Sequence, residues 1–265
     1  MSDHAEDNVY FEVGNYRLAI NMPRRAGLMA EVAARLARGE GFALATVNLD
    51  HLVKLRQSAE FREAYRAQDL VVADGNPLVW LSRLAGDPVE LVPGADMVVP
   101  LAGLAARQGV PVALLGSTEA ALAGAAEALS ARVPGVKVAA RIAPPMGFDP
   151  AGPGGDAVLR EVEASGARLV FLALGAPKQE ILAARGRVIT PGLGFASIGA
   201  GLDFLAGAQQ RAPRIMRRLA LEWLWRMLSN PRRLVARYAQ CAAILPAHAV
   251  RALRQRHTGV RERTP

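Results

Sequence analysis

Cysteine is nearly missing from this chain. Cys241 stands alone among 265 residues, so no disulfide can close within the sequence and nothing points to an oxidising compartment. We read it as a small apolar residue on a helix. No His/Cys cluster has zinc spacing, and no G-x-x-x-x-G-K-[ST] phosphate loop occurs. Uninterrupted apolar runs also stop short of the roughly 18 residues a spanning helix needs. The nearest approaches, Met97 to Leu115 and Tyr238 to Val250, are broken by Pro100, Arg107 and Gln108, and by Gln240, Pro246 and His248. Residues 1–14 are acidic and lack the basic and apolar regions of a signal peptide, which predicts a protein that stays in the cytosol and at most lies against a membrane.

Lysine is absent where positive charge is densest. From Arg211 to Pro265 the chain holds thirteen arginines and two acids, Glu222 and Glu262, a net +11. The whole chain is +8, so the preceding 210 residues are −3. The basic character therefore belongs to one segment, and an arginine-only, tryptophan-bearing segment suits phosphate. Guanidinium meets phosphate oxygens through two parallel hydrogen bonds and keeps its charge when partly buried. Composition leaves open whether that phosphate belongs to nucleic acid, lipid headgroups or a diphosphate substrate.

With 51% hydrophobic residues the chain can bury a full core. Apolar runs of strand length alternate with helix-like stretches, the pattern of a mostly parallel, Rossmann-like α/β sheet flanked by helices. Predicted strands are 10–20, 42–48, 70–73, 110–115, 136–142, 169–174 and 188–198. Predicted helices are 27–38, 52–67, 76–84, 95–108, 118–132, 156–165 and 178–185. After Gly207 the pattern is helical only, which divides the chain into an α/β domain, 1–207, and a helical, arginine-rich appendage, 208–265. Within it one helix is expected from Pro213, bearing Arg214, Arg217, Arg218 and the pair Glu222/Arg226. A second is expected after Pro231, with Arg232, Arg233 and Arg237, followed by a polar end from Arg254.

Four polar segments fall at the carboxyl ends of predicted strands, where open α/β sheets bind ligands. Thr46-Val-Asn48 offers neutral donors and acceptors suited to sugar hydroxyls or a nucleobase, or else caps the next helix. Ala73-Asp74-Gly75-Asn76-Pro77 is either a plain Asx-turn or a carboxylate fixed at the mouth of a site, able to act as general base on a substrate hydroxyl. Its apolar neighbourhood favours a raised pKa. In Leu174-Gly175-Ala176-Pro177-Lys178-Gln179-Glu180, Gly175 permits close backbone approach and the helix begun near Lys178 aims its N–H groups at an anion. Ile198-Gly199-Ala200-Gly201-Leu202-Asp203-Phe204 superficially suggests a dinucleotide fingerprint, but Phe204 stands where a third glycine belongs, which argues against a nicotinamide cofactor. No Asp-x-Asp occurs, the acid pair by which many sugar transferases hold a divalent metal on the donor diphosphate. A leaving diphosphate would then be neutralised by arginines and helix N-termini.

In order along the chain, TVN at 46–48, ADGNPLVW at 73–80, VPGAD at 92–96, LLGST at 114–118, LGAPKQE at 174–180, GAGLDFLAG at 199–207, RAP at 211–213 and LEWLWRMLSNPRRLVARY at 221–238 resemble the TagA/WecG/CpsF family of bacterial glycosyltransferases. The resemblance spans roughly residues 10 to 240. It implies an inverting, metal-independent and cofactor-free transferase that moves a sugar from a UDP-sugar to a polyprenyl-diphosphate-linked saccharide in cell-surface polysaccharide synthesis. It places the enzyme peripherally on the inner face of the cell membrane. It makes Asp74 the base, lines the pocket with Thr46, Asn48 and Gln179 beside the Gly175 and Lys178 turn, and gives Gly199 to Asp203 to the nucleotide. Arg226, Arg232, Arg233 and Arg237 would dock on anionic lipid and close over the diphosphate. Leu91 stands where members often carry an arginine, so a guanidinium is required from elsewhere or the sugar or acceptor differs. A homo-oligomer stays open. A competing class, a nucleic-acid-binding protein using the basic tail, fits less well, because the arginines alternate with Leu, Trp and Met at helical spacing and no recognised nucleic-acid fold occurs. A third reading is a scaffold whose apolar tail face packs a neighbouring subunit.

Overall fold

The computed structural model describes residues 9–213, 215–216 and 219–258. Its frame is a six-stranded, wholly parallel sheet made of β3 (Phe42–Val47), β4 (Leu70–Ala73), β5 (Val112–Gly116), β6 (Val138–Ile142), β7 (Leu169–Ala173) and β8 (Gly194–Ser197), in the order β4-β3-β8-β7-β5-β6. Parallel strands require crossovers, and helices supply them on both faces, so every strand except the partly exposed edge strand β6 is buried on both sides and reads as a near-continuous apolar run.

Alternation along each strand sorts side chains between two layers. Phe42 and Leu44 of β3, with Leu70, Val72, Leu114 and Phe171, meet α1 (Arg25–Arg38), α5 (Gly94–Arg107) and α6 (Glu119–Arg132) in one apolar cluster. On the opposite side Ala43, Ala113, Leu115, Val170 and Leu172 meet α7 (Pro153–Ala164) and α8 (Lys178–Ile189). The third cluster joins Ala45, Val47, Val71 and Ala73 to α2 (Leu49–Gln57), α3 (Ala59–Arg66), α4 (Asn76–Ala85) and an antiparallel hairpin of β1 (Val9–Val13) and β2 (Tyr16–Ile20). The short α9 (Gly201–Leu205) follows β8.

The appendage contributes α10 (Glu222–Ser229) and α11 (Pro231–Thr258). The latter lies along α4 and α2, placing Cys241 and Ala252 in the third cluster with Ile244, Leu245 and Ala249 at its edge. Among the described residues, no helix is long and apolar enough to cross a membrane.

Four expected elements differ from those observed. The single strand over 10–20 is a hairpin folded at Gly14-Asn15, Val13 pairing with Tyr16. The helix over 52–67 is two helices, because Ser58 accepts the Phe61 N–H and starts a new one. Val188 and Ile189 belong to the last turn of α8 and not to a strand, which begins only at Gly194. In the appendage the chain turns at Ala220, whose φ is 59°, before α10 starts at Glu222, and α11 runs on to Thr258 past the expected polar end at Arg254. Arg214, Arg217 and Arg218 lie outside the described residues, as does the Arg233 side chain.

Candidate active site

The carboxyl ends of β3, β4, β7 and β8 each feed a helix, so several helix N-termini converge on one edge of the sheet. At the end of β3, Thr46 is buried and its hydroxyl donates to the Ser197 carbonyl at 3.1 Å, tying β3 to β8. Asn48 caps α2: its Oδ1 accepts the His51 N–H at 3.3 Å while His51 Nδ1 accepts the Asn48 N–H at 3.1 Å. The capping role read for this segment falls to Asn48, while Thr46 ties two strands together.

Asp74 directly follows β4, its N–H donating to Val47 O at 2.6 Å. Its side chain does not fold back on its own turn. Oδ2 accepts the Gly94 N–H, twenty residues on, at 3.3 Å. Gly94 opens α5, wedged so tightly that a β-carbon there would lie 3.0 Å from both Thr46 Oγ1 and the Ile198 backbone. Gly75 follows Asp74 with φ 151°, a conformation open to glycine, and passes against Asn48. Burial pushes the Asp74 carboxyl up to about 6, helped by the Glu222 and Asp96 carboxylates and opposed by the Gly94 N–H and Arg226. Asp74 is thus a carboxylate at neutral pH with more affinity for a proton than a solvated aspartate.

On the β7 side, Gly175 has φ 71° and open space around it. Lys178 Nζ donates to Phe148 O at 2.7 Å, which fastens the loop after β6. Gln179 is buried: its Oε1 accepts the Gly199 N–H at 3.2 Å and its Nε2 donates to Glu180 Oε1 at 2.8 Å. Asp203 accepts hydrogen bonds from the Ser117 hydroxyl and from Gln209 Nε2, the latter at 2.7 Å. Thr46, Asn48, Asp74, Gln179, Gly199 and Asp203 therefore share one edge, joined through Gly94, Ser197 and Ser117.

The appendage reaches this edge through α10. Glu222 and Arg226 both lie within electrostatic range of Asp74, although the Arg226 side chain is exposed. Arg232 is exposed, and Arg237 Nη2 pairs instead with Asp50 Oδ2 on α2 at 2.9 Å, where Lys54 Nζ also sits at 2.8 Å. A cavity of about 370 Å³ between the hairpin and α3, lined by Tyr16, Arg17, Tyr65 and Arg66, contains none of these site residues.

Sequence reading missed four participants. Gly94 and Asp96 lay in plain view in VPGAD, but the Gly94 N–H bond to Asp74 and the repulsion between the Asp96 and Asp74 carboxylates are long-range interactions. Arg211 bonds Asp96 and stands 5.8 Å over the Phe204 ring, bringing a guanidinium near an edge where Leu91 supplies none. Its field includes Glu222 and Asp74. Glu222 was legible only as the helical partner of Arg226.

Residues 13–262 match the model for the glycosyl transferase WecG/TagA/CpsF family. That match takes in the sheet, the Asp74 edge and both helices of the appendage, so the chain belongs to the WecG/TagA/CpsF glycosyltransferase family and is an enzyme that transfers a sugar.

Proposed function

We propose that this enzyme moves a sugar from a UDP-sugar to a polyprenyl-diphosphate-linked saccharide, with inversion and without a metal, while resting on the inner face of the cell membrane. The observation that carries the reading is Asp74, a partly buried carboxylate braced by the Gly94 N–H and facing a helix of the arginine-rich appendage. Asp74 takes the proton of the acceptor hydroxyl as its oxygen attacks the anomeric carbon. The bond to the diphosphate breaks on the opposite side, and UDP departs with the electron pair. Inversion follows from a single displacement. Negative charge developing on the diphosphate is met by Arg226, Arg211 and the helix N-termini at the sheet edge, the kind of preorganised donors that stabilise such charge. The exposed Trp223 and Leu228 of α10, beside the arginines, suit a headgroup layer. Each arginine near an anionic leaflet contributes on the order of 1 kcal/mol.

The test is incubation with a panel of UDP-sugars and a short-chain polyprenyl-diphosphate sugar, the product identified by mass. One donor should yield a product heavier by one sugar residue, undiminished by a chelator. Absence of transfer from every UDP-sugar, or strict dependence on added Mg²⁺, would count against the reading. Arg226→Ala should lower kcat/KM by roughly 10-fold or more, as for loss of one charged donor, with the melting temperature unchanged because the side chain is exposed. Steady-state kinetics against the diphosphate-linked acceptor check this.

A further inference from the structure

Beneath the site lies a carboxyl group that the proposed mechanism does not use. Glu180 is fully buried, its Oε1 accepts from Gln179, and its Oε2 has no hydrogen-bond partner. Around it gather His51 of α2, whose Nε2 is 3.8 Å from Oε1, and Gln68, whose Nε2 donates to the Glu180 main-chain carbonyl at 3.2 Å. Tyr65 of α3 has a buried hydroxyl that also lacks a partner. His51 is itself the residue that caps Asn48. One inaccessible carboxyl therefore stands behind the ends of β3, β7 and β8 at once.

Gln179 matters because its amide has two different ends. The oxygen grips the Gly199 N–H and the nitrogen must then find an acceptor, which in this buried place is Glu180 Oε1. Without that acceptor, an amide flip or a lost bond releases the Gly199 loop. We propose that Glu180 is a positioning residue, touching no substrate, that holds the Gln179 amide in the orientation that sets the Gly199 to Asp203 segment for nucleotide binding. This rests on the reading of that segment as the UDP site.

Burial raises the Glu180 carboxyl to about 7, with Asp50 adding to the effect and the Gln179 bond and Lys54 opposing it. His51, held neutral by burial, Tyr65 and, beyond them, Arg237 complete the titratable groups on the packed elements. A carboxyl that binds its proton more tightly when folded than when unfolded favours folding below the unfolded pKa. That contribution declines as pH rises toward about 7.

Calorimetric titration with UDP, thermal melts across pH, and amide exchange at Gly199 test the proposal on the full chain. Glu180→Leu, which fills the space without an acceptor, should weaken UDP binding about 10-fold and speed Gly199 exchange. Glu180→Gln, which keeps a carbonyl acceptor, should retain both within about 2-fold and flatten the fall in melting temperature between pH 5 and 7.5. These sizes are those of one lost buried hydrogen bond. Combining Glu180→Leu with Gln179→Ala should be no worse than Gln179→Ala alone. Wild-type-like binding in a folded Leu variant, or effects that simply add, would overturn the proposal. If the Leu variant does not fold, a folded Gln variant that loses UDP affinity 10-fold would do so. Failure of the wild type to bind UDP at all would instead sink the functional reading, leaving the Gly199 exchange comparison to judge Glu180.

Discussion

Asp74→Asn should leave UDP-sugar binding nearly intact while turnover falls by roughly 10²-fold or more, the usual scale for loss of a general base. The substitution keeps an oxygen to accept the Gly94 N–H, so the β4 to α5 connection survives. What disappears is the site for the acceptor's proton. The same variant should be more stable than the wild type at pH 7 to 8. In the wild type the folded carboxyl holds its proton up to about 6 although the unfolded one releases it near 3.8, so stability is highest below the lower value and falls as pH rises through the higher. Relieving that penalty is worth on the order of 1–3 kcal/mol. A protein that melts higher and turns over a hundredfold more slowly cannot be explained by misfolding. For the wild type, turnover should fall tenfold per unit below about pH 6. Near-normal turnover in Asp74→Asn would remove Asp74 from the chemistry.

The second large effect concerns folding. Gly116 ends β5 with φ 107°, and a β-carbon there would lie 2.6 Å from the Ala173 carbonyl carbon and 2.7 Å from its oxygen at the end of β7. Neither neighbour is a flexible side chain that can step aside. Gly116→Ala combines an unfavourable backbone conformation with a clash against a central strand, so a loss of roughly 3 kcal/mol or more is expected. For a domain of this size that lowers the melting temperature by about 6 °C or more. Gly175→Ala, where φ is 71° but nothing stands within 4 Å, should cost only the conformational part, about 1–2 kcal/mol. Calorimetry of the two variants separates crowding from backbone strain, and equal losses would show that the close approach of β5 to β7 is not what Gly116 serves.

Much of this was legible in advance because it is local. Phe42 to Val47 is apolar on both faces but for Thr46, the pattern of a strand covered twice. The unbroken run Leu70 to Ala73 ends at an aspartate and a glycine, a boundary written in turn chemistry. The hairpin was harder, since its turn takes only two residues and the flanking alternation runs on almost unchanged. Ser58 was a helix-start signal inside a long amphipathic stretch and was outweighed by periodicity. Val188 and Ile189 are apolar in any context, and only Thr190 and Pro191 distinguish a last helical turn from a first strand residue. Beyond reach were contacts that no periodicity encodes. Gly94 to Asp74, Arg211 to Asp96 and Arg237 to Asp50 join segments 20, 115 and 187 positions apart. They decide which arginine faces the sheet edge and which braces the framework.

That last ion cluster changes how the appendage must be pictured. Arg237 shares Asp50 with Lys54, on the helix whose cap residue Asn48 lies against Gly75 and so beside Asp74. Any anionic surface that claims the Arg237 guanidinium takes it from Asp50 and loosens α2 from its strap. Cutting the chain at residue 208 would do worse, uncovering apolar side chains on α4 at about 2 kcal/mol for each large one left bare. The arginine-rich helices are thus a roof beam over α2 and α4, and a lever laid on them tilts the floor on which Asp74 stands.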